Sequence, residues 1–278
     1  MIYLILAIVS SAMVSIIMRL STDRIKDNVA MLVMNYSMCL LLACGFTGFG
    51  NLLPTSESLC GTLWMGLIHG VLYLVSFVML QRNVAVNGVV LSATFMKLGL
   101  LVPMVLAVAL FREMPSVVQL IGFVLALAAI VLINLDRDKT AVQAPAGLVF
   151  LLLTGGAADA MSKIYEELGD QALSEQFLVC TFAVALLLCV GLMLWKKQRI
   201  HWQELVFGLI IGIPNFFSAR FLLLALNHVP AVITYPTYSV ATLLVVTMVG
   251  VAAFRERLGK RQWVALGMIL AALALLNL

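Results

Sequence analysis

The chain has 278 residues and a net charge of +4; 63% of its residues are hydrophobic and only 11% are charged. Its mean hydropathy is +1.11. So few polar residues cannot cover a surface in water, which excludes a soluble globular protein and indicates an integral membrane protein.

Apolar runs of 16 to 24 residues follow one another along the chain. At ~1.5 Å per residue, runs of this length cross most or all of the roughly 30 Å of membrane hydrocarbon. We therefore predict an all-α fold of ten transmembrane helices at residues 1–18, 29–49, 60–80, 88–111, 115–135, 146–164, 177–195, 205–226, 231–254 and 263–278.

The sequence contains an internal repeat. Residues 111–135 and 254–278 agree at ten of 25 positions, at an offset of 143 residues. The agreement begins with Phe-Arg-Glu at 111–113 and 254–256 and includes Gln119 and Gln262. We therefore predict two five-helix repeats, residues 1–138 and 139–278, that form one membrane unit.

An odd number of helices per repeat has a consequence for topology. Two consecutive five-helix copies must cross the membrane in opposite directions, which is the inverted-repeat construction of many secondary transporters. The connections are short, and no phosphate-binding glycine loop is present. The pattern favours transport driven by a gradient, with the site between the repeats.

Basic residues predict the orientation. The loops after predicted helices 1, 3, 5, 7 and 9 carry thirteen Lys and Arg residues, and the opposite face carries only Arg112 and Lys163. By the positive-inside rule, both termini are expected outside the membrane. The net positive charge is then a bias of the cytoplasmic face, and we expect no nucleic-acid partner.

Polar residues deep in the apolar helices are the first candidates for a substrate site. At ~1.5 Å per residue, Lys97, Asn215 and His69 each lie about 14–15 Å into predicted helices 4, 8 and 3. Lys97 indicates a site most strongly, because its side chain is too short to reach either headgroup layer. The alternative is a buried lysine that fixes helix packing and is either neutral or paired with a carbonyl or with Asp159.

Arg220 and Asp159 lie nearer the helix ends. Arg220 is one turn from Phe216, so its guanidinium can stack on an aromatic ring or bind a carboxylate. Asp159 precedes Lys163 by four residues, a spacing that favours a structural salt bridge; the alternative is a proton or cation site. His69 is a second candidate for proton coupling, because histidine titrates near neutral pH.

Aromatic and hydroxyl side chains complete the candidate substrate site. Tyr73 follows His69 by one helical turn, although this spacing is also typical of packing. Tyr235 and Tyr238 flank Pro236, which removes a hydrogen bond within predicted helix 9. Thr94 of helix 4 corresponds to Thr237 of helix 9 at the repeat offset. An interfacial aromatic belt is the alternative for the two tyrosines of helix 9.

The repeated Phe-Arg-Glu turns, the glutamines that follow them and the ten short-looped helices resemble the EamA-type transporters of the drug/metabolite transporter superfamily. The resemblance covers essentially the whole chain. It implies movement of small metabolites through a central cavity lined mainly by helices 1, 3, 4, 6, 8 and 9. It also implies cytoplasmic termini, which conflicts with the count of basic residues.

The residues and the resemblance together predict a secondary transporter of the plasma membrane, with the bacterial inner membrane expected from the resemblance. Cationic and polar candidates favour a small anionic or zwitterionic metabolite moved by alternating access, with protons as a further partner. An antiporter of organic cations that uses Asp159 and aromatic walls is the alternative. A lipid flippase or a non-transporting receptor also stays open.

Several other classes are not expected. Neither His-Glu-x-x-His nor Gly-x-Ser-x-Gly occurs, so we expect no enzyme activity. The five cysteines have no metal or redox spacing, and we expect neither a metal nor another cofactor. The oligomeric state is expected to be a monomer or a homodimer.

Overall fold

The computed structural model describes residues 1–21, 24–87, 89–134, 145–254 and 259–278. Within these ranges the regular structure is helical throughout, and no strand occurs. The helices are α1 (Ile2–Ser21), α2 (Asn28–Thr47), α3 (Leu59–Asn87), α4 (Val89–Leu98), α5 (Leu101–Phe111), α6 (Val117–Asn134), α7 (Pro145–Leu168), α8 (Ser174–Trp195), α9 (Trp202–Leu226), α10 (Ala231–Phe254) and α11 (Lys260–Leu276).

The all-helical, multi-pass membrane class predicted from the composition is confirmed. Seven helical segments of the described chain are long and apolar enough to cross a membrane, and shorter apolar helices lie at Phe95–Phe111 and Val117–Leu132. Counting α4 and α5 as one interrupted helix gives the ten predicted helices. The inverted relation between the two repeats stays a prediction.

The interruption between α4 and α5 has a local cause in Pro103. In a continuous α-helix the Gly99 carbonyl would accept the N–H of residue 103, but proline has no N–H. The Gly99 carbonyl instead accepts the Val102 N–H at 2.9 Å, and the Gly99 N–H donates to the Met96 carbonyl at 3.1 Å. These bonds span three residues, as in a 3-10 turn. A single helix over 88–111 was expected; the structure divides it here.

Contacts within the chain group it into two units. The first contains Met1, Val75–Lys163 and Ala225–Leu278. In this unit α6 packs against α11, and α10 packs against α5, α6 and α11. In the first unit, α10 therefore contacts the three helices that end or begin near the two Phe-Arg-Glu motifs.

Helices α6 and α11 begin with the same hydrogen bond at equivalent positions of the repeat. Gln119 Oε1 accepts the Ser116 N–H at 3.0 Å, and Gln262 Oε1 accepts the Gly259 N–H at 2.9 Å. The Ser116 hydroxyl also accepts the Gln119 N–H, which completes a capping box in α6. The glutamine recurs in both repeats because its side-chain oxygen accepts a backbone N–H at the start of the helix.

The second unit contains Ile2–Leu74 and Ile164–Leu224, and in it α2 packs against α8. Glycines let α9 approach α2 closely: a Cβ added at Gly208 or Gly212 would lie 2.5 Å from the Cβ of Met34 or Met38. Small residues commonly allow such backbone approach between membrane helices.

Each unit contains helices from both halves of the sequence. The units therefore differ from the sequence repeats, and the repeat boundaries 1–138 and 139–278 stay a prediction.

We predict that Gly156→Leu destabilises the first unit. Gly156 of α7 lies against the Gly99 carbonyl and the Val102 side chain, so an added side chain has no space. Overpacking of this kind typically costs about 1–3 kcal/mol. Thermal unfolding in detergent should show a lower midpoint. Gly191→Leu is the matched control, because a Cβ at Gly191 meets nothing within 4 Å; equal loss of stability in both variants would contradict the prediction.

Candidate functional site

The first unit brings Lys97 and Asp159 together. Lys97 lies in the last turn of α4, two residues before Gly99, and Asp159 lies on α7 three residues after Gly156. Because Gly99 and Gly156 are in contact, the two charged side chains lie near the same crossing of α4 and α7. Their charges interact favourably.

Lys97 and Asp159 differ from an ordinary structural ion pair. Both side chains are half-buried. Among the described residues they do not form a direct ion pair, whereas Lys163 and Glu113 do so at 2.6 Å. A cation and an anion that are near each other but not in contact can each bind an opposite charge on a third molecule.

Tyr235 of α10 adjoins this pair through the backbone. Its hydroxyl donates to the Asp159 carbonyl at 2.6 Å, and the side chain is buried. Tyr235 thus ties α10 to the turn of α7 that carries Asp159. Tyr238, one turn from it on α10, is half-buried. The side chain of Thr94 lies outside the part of the chain that the structure describes.

Glu113 organises a second polar cluster of the first unit. Its Oε1 binds the Lys163 ammonium, and its Oε2 accepts the Val232 N–H at 3.1 Å, in the first turn of α10. The Lys163 nitrogen lies 5.6 Å from the centre of the Phe111 ring. Arg112, between the two motif residues, ends α5 in the left-handed conformation with φ 57°.

This arrangement explains the Phe-Arg-Glu motif at 111–113. On either side of the turn at Arg112, Phe111 and Glu113 both lie close to the Lys163 ammonium, and Glu113 also caps α10. Lys163 pairs with Glu113 instead of with Asp159, so Asp159 stays available to Lys97. Arg255 and Glu256, the motif's second copy, lie outside the described residues.

In the second unit, Arg220 is held by a carboxylate and a ring. Its Nη2 and Nε lie 2.6 and 2.7 Å from Glu175 Oε1. Its guanidinium carbon lies 4.5 Å from the centre of the Phe46 ring. The two interactions predicted as alternatives for Arg220, binding a carboxylate and stacking on a ring, occur together. The ring is that of Phe46 and not that of Phe216. The charge of Arg220 is therefore largely neutralised within the protein.

Asn215 is used in packing α9 against α2. Its amide donates to Asn35 Oδ1 at 3.2 Å and lies 3.6 Å from Cys39 Sγ. Cys39 Sγ in turn lies 3.3 Å from the Gly212 carbonyl. The Gly212 carbonyl, two residues before Pro214, thus has a side-chain partner on α2.

His69 lies in an aromatic cluster of the second unit. Its ring stacks on Phe177 with centroids 5.2 Å apart and lies 4.8 Å from the Tyr73 ring. Its Nδ1 lies 3.3 Å from the Thr181 hydroxyl, which donates to the Phe177 carbonyl. His69 Nδ1 and the Thr181 hydroxyl therefore share a hydrogen bond, whose direction follows the tautomer of the imidazole ring. Only 2% of His69 is exposed.

The sequence identified the polar candidates but not their partners. Asn35 and Thr181 are themselves polar residues in apolar helices, and that signal could have indicated them. Glu175 and Glu113 could not be assigned by spacing, since each partner lies on a distant helix. Within the described residues, no group of three or more His, Cys, Asp or Glu side chains could hold a metal ion.

We predict that Glu113→Gln destabilises the protein. The substitution leaves the Lys163 ammonium, 2% exposed, without its carboxylate. Removing one partner of a buried ion pair typically costs about 3–5 kcal/mol. Thermal unfolding should show the loss, and Lys163→Met in the same variant should restore part of it. Glu57→Gln, at an exposed acid, is the control; an unchanged midpoint in Glu113→Gln would contradict the prediction.

Comparisons with known proteins agree with this architecture. Residues 146–278 match the EamA-like transporter family. An uncharacterized protein of Haemophilus influenzae is 24% identical over 97% of this chain and 95% of its own length. A solved crystal structure superposes with a TM-score of 0.75 at 11% identity, covering 99% of this chain and 98% of the other; this likeness concerns the fold alone.

One relative has a more specific name. The probable 4-amino-4-deoxy-L-arabinose-phosphoundecaprenol flippase subunit ArnE of Proteus mirabilis is 29% identical over 34% of this chain and 91% of its own length. The family match over residues 146–278, this relative and the apolar helices support the family identification made from the sequence: the second half of the chain matches the EamA-like transporters, and the chain resembles the EamA-type members of the drug/metabolite transporter superfamily.

Proposed function

We propose that the chain is a secondary transporter that moves a small zwitterionic or anionic metabolite by alternating access, with Lys97 and Asp159 as its charged binding groups. The observation that carries the proposal is their arrangement: opposite charges that interact, are half-buried and form no direct ion pair. Lys97 would bind the substrate carboxylate.

Two other cations in the described helices support this assignment, because each already binds a carboxylate of the protein. Lys163 binds Glu113, and Arg220 binds Glu175 and stacks on Phe46. Lys97 is thus the membrane-embedded cation best placed to bind a substrate anion. Asp159 supplies the complementary charge for a substrate ammonium, so a zwitterion fits the pair better than a simple anion does.

Proton coupling is part of the proposal, and Asp159 is the stronger of its two candidates. A coupling group must exchange protons with water and must sense the substrate. Asp159 is half-buried beside Lys97, whereas His69 is 2% exposed and stacked on Phe177. Competition between a proton and a substrate ammonium for Asp159 would couple the two fluxes.

An amine or a lipid-linked amino sugar is the second candidate substrate. The molecule in the name of the ArnE relative has an amino group, a phosphate and a polyprenol chain. In this alternative Asp159 binds the amine, and Lys97 is free to contact a phosphate when one is present. Binding of amines that survives the loss of Lys97 would favour a simple amine.

We predict that a zwitterionic ligand raises the unfolding temperature of the purified wild-type protein but not that of Lys97→Met. A bound ligand raises the free energy of unfolding by RT ln(1 + [L]/Kd), which is about 2.7 kcal/mol when the ligand concentration is one hundred times the Kd. The screen compares amino acids, carboxylates, phosphates and quaternary amines. Lys196→Met, at an exposed lysine after α8, is the matched control.

Two outcomes would contradict the proposal. One is a ligand-induced shift that is the same in Lys97→Met and in wild type. The other is a shift with amines alone that is lost in Asp159→Asn, which would establish the second candidate.

We also propose the orientation and location predicted from the sequence: both termini outside, in a bacterial inner membrane. The thirteen-to-two asymmetry of basic residues between the two sets of loops supports the orientation. The H. influenzae and P. mirabilis relatives support the location.

Leu278→Cys should react with a membrane-impermeant maleimide on intact cells. The background variant is Cys60→Ser, because Cys60 is an exposed thiol that would also react. Labelling that begins only after lysis would place the carboxyl terminus inside and would favour the cytoplasmic termini implied by the family resemblance.

A further inference from the structure

Four basic residues in two loops of the second unit are exposed and have no acidic partner. Arg24 and Lys26 lie between α1 and α2, and Lys197 and Arg199 lie between α8 and α9. Among the residues that the structure describes, none of the four forms an ion pair. We call these four residues the basic patch. Their charges are available to a negatively charged partner.

Glu204 joins the two loops. It lies in the first turn of α9 and is fully buried, and its Oε1 accepts the N–H groups of Lys26 at 2.7 Å and of Asp27 at 3.3 Å. Arg24 approaches the same helix, because its guanidinium carbon lies 5.9 Å from the centre of the Phe207 ring. The α1–α2 loop is therefore held against the start of α9, directly after the α8–α9 loop.

The acids near the basic patch leave it positive. Glu204 Oε1 binds backbone N–H groups, and Glu204 Oε2 lies 3.6 Å from His201 Nδ1. Asp27 is the other acid within residues 24–27 and 196–204, and it lies half-buried just before α2. Within the described chain, neither carboxylate binds a side chain of the basic patch.

Helix α8 ends beside the α1–α2 loop. It packs against α2 and runs antiparallel to it, since Gln176 at its start donates to the Asn51 carbonyl, four residues after α2, at 3.0 Å. The two helices have similar lengths, 22 and 20 residues, so the end of α8 lies next to the start of α2. There Lys197 has φ 53°, and the Gln198 N–H donates to the Met193 carbonyl at 3.0 Å. All four residues of the basic patch thus lie at one end of the second unit.

Two exposed tryptophans place the basic patch at the membrane surface. Trp195 ends α8 and Trp202 begins α9, and they are 78% and 76% exposed. Both helices are long and apolar enough to cross a membrane. Tryptophan at the ends of membrane helices lies at the level of the lipid headgroups. Lys197 and Arg199, between the two tryptophans, therefore lie at the depth of the lipid phosphates.

We propose that the basic patch binds the phosphate of an anionic phospholipid, with cations of both loops around it. A cluster of four or more Lys and Arg residues next to a membrane helix attracts anionic headgroups. Here the contacts of Glu204 hold together two loops that are distant in sequence, so one headgroup can meet both. The lipid fastens the α1–α2 loop to the start of α9. This inference concerns a lipid site and is independent of the proposed transport function.

Native mass spectrometry of the delipidated protein in detergent measures the binding. The probes are dioleoylphosphatidylglycerol, which is anionic, and dioleoylphosphatidylcholine, which has the same phosphate and chains but no net charge. Lys26→Gln combined with Arg199→Gln removes one cation from each loop. Because a basic residue near a membrane surface contributes roughly fivefold to the affinity for anionic lipid, this double variant should bind phosphatidylglycerol about tenfold or more weakly than wild type.

Lys260→Gln combined with Arg261→Gln is the matched control. These two exposed residues begin α11 in the first unit, and their loss removes the same charge. The control should bind phosphatidylglycerol as wild type does. Equal affinities of the wild-type protein for the two lipids, or equal losses in the two double variants, would overturn the inference.

Glu204→Ala distinguishes a site built from both loops from general attraction. The substitution removes a negative charge, so attraction by net charge alone predicts tighter binding of phosphatidylglycerol. If the site needs both loops, binding should weaken instead, because the Lys26 and Asp27 N–H groups lose their acceptor. Tighter binding in Glu204→Ala would contradict the proposed site. The double variant of Lys26 and Arg199 tests the site independently if Glu204→Ala fails to fold.

Glycerol 3-phosphate tests the source of the phosphate. It has a phosphate but no acyl chains, and in excess it should leave phosphatidylglycerol bound. Displacement of the lipid would assign the basic patch to a soluble phosphate and overturn the lipid site. Lys97→Met should bind phosphatidylglycerol as wild type does, so the lipid inference and the proposed function can fail separately.

Discussion

The structure depends first on the requirement that every backbone polar group be satisfied within hydrocarbon. Long helices meet this requirement, and departures from them need a protein partner. Pro103 forces one departure at Gly99, where three-residue hydrogen bonds replace the helical ones and Gly156 of α7 packs against the Gly99 carbonyl. Because the break must be covered, α4 and α7 cross closely, and this crossing brings Lys97 near Asp159.

Among the residues that the structure describes, the paired charges within the apolar helices are of two kinds. Lys163 with Glu113 and Arg220 with Glu175 are direct pairs, each reinforced by an aromatic ring. Such pairs hold helices together and leave little charge for a solute. Lys97 and Asp159 interact without direct contact, which is unfavourable for a purely structural pair and suits a site that a charged substrate completes. The difference in pairing is therefore the physical basis of the proposed function.

The sequence predicted the membrane class, the helix count and the family because these depend on hydropathy, length and a repeated motif. Pro103, four residues after Gly99, could also have indicated the break at Gly99. Pro236 was expected to remove a hydrogen bond within its helix, yet α10 continues through it, as α9 continues through Pro214. The partners of Arg220, Asn215 and Lys163 were not predictable, because each lies on a helix distant in sequence and spacing rules apply only within a helix. Asp159 was named from the sequence as one possible partner of Lys97, because both are charged residues in apolar helices; their charges interact without a direct ion pair.

The most direct test of the account is solute counterflow into liposomes by Lys97→Met, Asp159→Asn and the double variant, with the zwitterion that stabilises the wild-type protein. If the pair binds substrate, all three variants should fold and none should transport, because removing both charges cannot restore the substrate's partners. If the pair is structural, the single variants should be unstable and the double variant should recover both stability and transport. That recovery would contradict the assignment of Lys97 and Asp159 as the binding groups.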